Sequence, residues 1–241
     1  MSDSPFIELT IVFDNQPFSP ELQTKWGFSC VIKGLDRTIL FDTGSQGETL
    51  LSNMAHMNIR PQEIDVVFLS HDHKDHTGGL SHLLKKHSQL EVWLPEFFHP
   101  QLKESIRSQG ASVVEVENFR KICRGAFTTG VIQGWIKEQS LILDTPQGLV
   151  VITGCAHPRI VRILSTVKNL IPKDIYLALG GFHLAGFEDK EINDIIENFR
   201  NIGVKKVAPS HCSGEEARGG FSQEYKNDFI PSGLGKRIKI Q

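Results

Sequence analysis

Apolar and polar positions along the chain alternate between two regimes. Residues 64–69, IDVVFL, are an almost unbroken apolar run, the pattern of a strand covered on both faces. Residues 6–13 (FIELTIVF), FSCVIKG, RTILFDTG, EVWLP, 112–116, 126–132, DIYLALGG, VKKVAPS and KRIKI also read as strands. QSLILDTPQGLVVITG reads as a hairpin, two apolar runs around a Pro/Gly turn. Between these runs, apolar residues return at spacings of three and four, as at Leu50, Met54 and Met57. Helices are predicted over 46–57, 77–87, 98–108, 159–169, 188–202 and 215–229, and DNQPFSPELQTKWG reads as a polar loop. No linker, low-complexity segment or short-period repeat interrupts the pattern. The expectation is a single α/β domain over 1–241, with mixed sheets and helices outside, layered as a sandwich.

Composition narrows the partners. A formal net charge of -2 over 241 residues gives no support for broad electrostatic binding to nucleic acid. No apolar stretch approaches a membrane span, and the N-terminus lacks the basic and apolar regions of a signal peptide. Four widely spaced cysteines, Cys30, Cys123, Cys155 and Cys212, read as reduced thiols, so a cytoplasmic location is expected.

The chemistry concentrates in LSHDHKDHTGGL, residues 69–80. His71, His73, Asp75 and His76 form an H-x-H-x-D-H pattern directly after an apolar strand. Imidazole and carboxylate suit zinc, manganese or iron. His71 and His73, two apart on extended chain, can point the same way, whereas the adjacent Asp75 and His76 must aim at a second point nearby. The segment therefore reads as ligands for two neighbouring cations. Four ligands do not complete two shells, and His157 and His211, each following a strand, are the best candidates for the rest. His56, His82, His87 and His99 fall on helical or exposed-looking segments and read as surface residues. Cys155 and Cys212 flank ligand candidates but read as small packed side chains.

LFDTG (40–44), SHDHKDHTGGL (70–80), TGCAHP (153–158), ALGGFHL (178–184) and PSHCSG (209–214) together resemble the metallo-β-lactamase superfamily over nearly the whole chain. GCAHP, GGFHL and SHCSG are most similar to its dihydropterin-linked ribofuranosylaminobenzene 5′-phosphate synthase branch. The resemblance implies a four-layer αβ/βα sandwich with metals at one edge. It places His71, His73 and His157 on one metal and Asp75, His76 and His211 on the other, with Asp42 holding a ligand histidine by hydrogen bond. Many members carry a bridging Asp just after the strand that here reads DIYLALGG. This chain has Gly180 and Gly181 instead, so His183 is either a replacement ligand or, as expected here, a substrate contact.

One or two divalent ions are thus expected, zinc first, with manganese or iron as alternatives. The expected activity is a hydrolase that turns a metal-bound hydroxide on a phosphorylated or ester-containing, anionic small molecule. Asp75 would orient the hydroxide and shuttle a proton, and Gly180 and Gly181 would let substrate approach the backbone. The alternatives are a synthase condensing an aminobenzoate with a phosphoribosyl donor, for which Lys25, Trp26 and Arg159 are candidate contacts, and a non-catalytic metal-binding sensor.

Overall fold

A computed structural model of the chain describes residues 6–241. The first five residues, part of the stretch read for a signal peptide, lie outside the described residues. Contacts along the chain gather into two compact units, Met1–Asn118 with Gly233–Gln241, and Phe119–Ser232.

The first unit holds strands β1 (Ile7–Asp14), β2 (Phe28–Lys33), β3 (Ile39–Phe41), β4 (Val66–Phe68), β5 (Glu91–Pro95) and β6 (Ser112–Val116). The C-terminal strand, Arg237–Ile240, joins the same seven-stranded sheet beside β1, and the rest follow in chain order. Pairing is antiparallel as far as β3 and parallel from β3 to β6. Helices α1 (Gly47–His56), α2 (Lys74–Thr77), α3 (Leu80–Lys86) and α4 (Pro100–Ser108) belong to this unit. Alternate strand residues Val31, Leu40, Val67 and Val92 pack with Leu50, Met54, Leu83 and Ile106 of the helices. The intervening residues Ile32, Ile39, Phe41 and Phe68 are equally buried. Burial on both faces is why these strands read as continuous apolar runs, and each such side chain contributes about 1.5–3 kcal/mol.

The second unit repeats the plan. Strands β7 (Arg120–Cys123), β8 (Ala126–Thr128), β9 (Leu141–Thr145), β10 (Gly148–Thr153), β11 (Ile175–Gly181) and β12 (Lys206–Ser210) form one sheet in chain order. The first four are antiparallel, and β10, β11 and β12 are parallel. Helices α5 (Ile160–Leu170), α6 (Asp189–Ile202) and α7 (Glu215–Tyr225) cover it. Ile160, Ile163, Leu164 and Val167 form one stripe of α5, and Ile192, Ile196 and Phe199 one stripe of α6. Helix α6 opens with a capping box between Glu188 and Glu191 and stops at Gly203, whose φ of 88° is the left-handed conformation of a helix C-cap.

The predicted elements match except at four places. The helix expected over 77–87 splits into α2 and α3. The His76 carbonyl accepts from both Thr43 N and Thr43 Oγ1, which ties the single turn of α2 to the end of β3. The last helix ends at Tyr225 rather than 229, because Lys226 takes a φ of 48°. The strand expected over 126–132 stops at Thr128, where Thr128 Oγ1 caps Gly130 N. Edge strand β7 was not expected, since the exposed Arg120 and Lys121 dilute its apolar signal. No helix among the described residues is long and apolar enough to cross a membrane.

Candidate metal centre

In the first unit, parallel strands β3 and β4 end side by side, and their C-terminal extensions carry Asp42 and the Ser70–His76 segment. Asp42 is fully buried at a φ of 50°, a left-handed conformation that aspartate tolerates. Its Oδ1 accepts from Ser70 N at 2.7 Å. Its Oδ2 accepts from Ser70 Oγ at 2.7 Å and from His76 Nδ1 at 2.7 Å. Ser70 Oγ lies 2.9 Å from His71 Nδ1. With Ser70 donating to Asp42, the network makes His71 Nδ1 the donor to Ser70. One carboxylate thus orients two imidazoles, His76 directly and His71 through a hydroxyl, and makes Nε2 the ligand atom of each.

The rings cluster accordingly. His71 lies 4.7 Å from His73 and 4.3 Å from His76 between centroids, and Asp75 Oδ2 is 3.5 Å from His76 Nε2. Burial works against a charged His76 imidazole, but Asp42 and then Asp75 more than offset it and raise its pKa to about 10. The Asp42 carboxyl is pushed up by its own burial, opposed by His76 and Ser70.

In the second unit an edge of its own is built from the C-terminal ends of β10, β11 and β12, which lead into His157, His183 and His211. The residue that organises this edge, Glu138, was not anticipated. It is fully buried. Its Oε1 accepts from the backbone N–H groups of Gly154, Cys155 and Ala156 at 3.0–3.1 Å. Its Oε2 accepts from His157 N at 3.0 Å and lies 3.1 Å from His157 Nδ1. Glu138 therefore does for His157 what Asp42 does for His76. Its only sequence signal is a carboxylate two residues before the apolar run of the β9–β10 hairpin.

The loop between β8 and β9 brings Glu138 inward through paired backbone bonds between Ile132 and Glu138, and its tip carries Trp135. Trp135 is 70% exposed, yet its ring lies 5.0 Å from His157 and 5.8 Å from His183. A cavity of about 350 Å³ opens here, lined by Trp135, His157, Arg159, Phe182, His183 and Phe187 with the Glu191 and Asp194 carboxylates of α6. The Arg159 guanidinium sits 5.3 Å from the Phe187 ring centre.

Non-glycine residues with positive φ gather in these loops: Asp42, Ala156, Arg159, His183 and His211 are five of seven among the described residues. Such conformations cost about 1–3 kcal/mol each and concentrate where side chains must be aimed.

Gly180 and Gly181 have a packing role of their own. Both are buried inside β11, pair with Pro209 and Ser210 of β12, and do not line the cavity. At Gly180, with φ of 116°, an added Cβ would run into the Thr153 carbonyl, and at Gly181 it would lie 2.7 Å from Cys212 Sγ. Packing of the neighbouring elements by itself demands these glycines. Gly180→Ala is expected to cost about 2–4 kcal/mol from overpacking and backbone strain. A urea unfolding midpoint equal to that of the parent would refute this.

Cys155 and Cys212 are buried, as expected, but they do not pack as isolated apolar side chains. Their sulfurs and a ring nitrogen of His183 lie within 4.8 Å of one another. Burial alone would raise the Cys212 thiol pKa; Cys155, His183 and the adjacent His211 outweigh it and hold the thiol well below its ordinary value. Cys212 in turn raises the His183 imidazole against partial burial. Lys25 and Trp26 are exposed residues of the first unit.

Comparison with known proteins agrees with this geometry. The family model described as "Beta-lactamase superfamily domain" matches residues 37–132. A Methanocaldococcus jannaschii protein named 7,8-dihydropterin-6-methyl-4-(beta-D-ribofuranosyl)-aminobenzene-5′-phosphate synthase is 30% identical, covering 96% of this chain and 95% of its own. The chain belongs to the metallo-β-lactamase superfamily. The crystal structure of Tm1679, a metal-dependent hydrolase of the same superfamily, superposes with a TM-score of 0.82 at 26% identity, covering 97% of this chain and 99% of that one. YhfI from Bacillus subtilis shares the fold, with a TM-score of 0.73 at 12% identity, covering 97% of this chain and 99% of its own. The metallo-β-lactamase fold is therefore the fold of this chain, and its superfamily is metal-dependent. The donor set fits a divalent metal: His71, His76 and His157 each have Nδ1 held by an oxygen acceptor, the arrangement that fixes a ligating imidazole.

Proposed function

We propose that the two units act as one catalytic domain, with His71, His73 and His157 on one divalent ion and Asp75, His76 and His211 on a second, zinc being the first candidate. The reaction is hydrolysis of a phosphorylated or ester-containing small molecule. When bound, the ions would lower the pKa of a water towards about 7 and neutralise developing negative charge. The chain's own groups do the rest. Asp42 and Ser70 fix His76 and His71, and Glu138 fixes His157. Asp75 takes up and returns a proton at its carboxylate. Trp135 and Phe187 offer flat apolar surfaces for the substrate, Arg159 offers a cation to an anionic group, and His183 offers a polar contact on the same cavity wall.

The observation that carries this reading is the matched pair of carboxylate–imidazole contacts, Asp42 to His76 and Glu138 to His157, which have little purpose on a merely solvated loop. The relationship to the M. jannaschii synthase favours a second reading, a synthase condensing an aminobenzoate with a phosphoribosyl donor. A cavity of about 350 Å³ between aromatic side chains suits either.

Protein purified without chelator is expected to carry transition metal and to hydrolyse a generic phosphodiester. His71→Ala combined with His157→Ala is expected to lower turnover at least about a hundredfold. Product formed only from a phosphoribosyl donor with an aminobenzoate, or from dihydropterin and aminobenzene phosphate substrates, would select the synthase. Absence of transition metal together with unchanged turnover in the double variant would overturn both.

A further inference from the structure

We infer that Cys155, His183 and Cys212 form a thiolate-rich metal site of the second unit that takes a thiophilic ion such as zinc or copper(I). All three belong to the second unit, at the ends of neighbouring parallel strands β10, β11 and β12. The two sulfurs and a His183 ring nitrogen lie within 4.8 Å of one another. Zinc bonds to sulfur and nitrogen donors place such atoms about 3.5–4 Å apart, so a small side-chain closure completes the site.

Three further observations point to a ligand. His183 Nδ1 is buried and has no hydrogen-bond partner among the described residues, an arrangement that costs about 1–3 kcal/mol unless something occupies it. His183 also holds a φ of 54°, so its ring is kept in place by a strained backbone rather than left to a relaxed loop. Gly181 makes the room: a side chain there would press on Cys212 Sγ at 2.7 Å and on the Cys155 Cα at 3.2 Å. Thiolates with an imidazole select zinc or copper(I) over magnesium or manganese. Three protein donors leave one position open, as in zinc sites that accept a further ligand.

The test uses the full chain, kept reduced and loaded with cobalt(II) as a zinc substitute. Wild-type protein is expected to show a near-ultraviolet thiolate-to-cobalt charge-transfer band. It should also bind about one equivalent more cobalt than the near-isosteric Cys155→Ser/Cys212→Ser variant, in which the band is lost. His183→Ala, which keeps both thiols, is expected to weaken the cobalt affinity read from that band at least about tenfold. Asp75→Ala/His76→Ala is expected to retain the band, which separates this site from the centre proposed above. Thermal melts of each variant confirm that they fold. Equal cobalt content and no thiolate band in wild-type protein would overturn the inference. A band that disappears in Asp75→Ala/His76→Ala as well would also overturn it, assigning the sulfurs to the centre proposed above and leaving that centre's reading intact.

Discussion

Glu138→Ala is expected to unfold much of the second unit's functional edge and to lower global stability by about 5 kcal/mol or more. The carboxylate accepts from four successive backbone N–H groups, Gly154 to His157, and contacts His157 Nδ1. Removing it leaves four buried donors without an acceptor, at about 1–3 kcal/mol each. Even the low end of that sum approaches the whole stability of a marginal domain, about 5–15 kcal/mol. Water entering the vacated space would recover part of the loss, so the variant is expected to fold weakly rather than not at all. Glu138→Gln separates charge from geometry. One amide oxygen can still serve Gly154, Cys155 and Ala156, but the amide nitrogen would face two donors on His157. That variant should keep most of the stability and lose the orientation of His157. Urea unfolding of both variants checks the first effect, and metal content of the folded Glu138→Gln protein the second. A Glu138→Ala midpoint within error of the parent would show that the four N–H groups find other partners.

The contrast between Glu138 and the His71–His76 cluster shows what a sequence reveals. His71, His73, Asp75 and His76 are legible because the geometry that joins them is local: one strand end and one helical turn bring them together within six residues. Asp42 was legible because it ends a recognisable strand and is followed by a turn glycine. Glu138 serves backbone groups 16–19 residues further on, across a hairpin, and backbone donors leave no mark in the sequence. Trp135 reads as an exposed aromatic in a loop, and its approach to His157 and His183 depends on how that loop folds back.

Gly180 and Gly181 show the opposite failure. Their presence is legible, but the packing constraint on them is not, since it comes from Thr153, Gly154 and Cys212 on adjacent elements. The fold was more legible than the site's support. Apolar runs mark doubly covered strands and spaced stripes mark helices, so what escaped was the polar edge strand β7, the early end of β8, the break between α2 and α3 and the end of the last helix. Helix ends are decided by single backbone angles such as that of Lys226, which side-chain periodicity does not encode.

Asp42→Asn is expected to leave the fold standing and to lower metal affinity in the first unit about 10–100-fold. Asparagine is nearly isosteric and accepts the φ of 50° at this position, so the backbone has little reason to move. The change lies in the donors. The wild-type carboxylate accepts from Ser70 N, Ser70 Oγ and His76 Nδ1. An amide that keeps its oxygen on Ser70 N turns its nitrogen towards Ser70 Oγ and His76 Nδ1, setting a donor against two groups that formerly donated. His76 relieves the conflict by carrying its proton on Nε2, the atom needed for coordination, and Ser70 relieves it by turning its own proton away. A flip of the amide moves the conflict to the Ser70 backbone N–H, which cannot turn. The flipped amide keeps its oxygen on Ser70 Oγ and His76 Nδ1 but sets two buried N–H groups against each other, so the unflipped form is favoured; in it the relay from Asp42 through Ser70 to His71 is broken and both imidazoles lose their imposed orientation. Zinc or cobalt titration, with circular dichroism to confirm the fold, measures the effect. Asp42→Ala should show the same loss of affinity, together with a fall in stability from the unsatisfied Ser70 N–H. Metal affinity unchanged in Asp42→Asn would mean that packing alone aims His76 and His71, and the hydrogen bonds to Asp42 would then have no part in forming the centre.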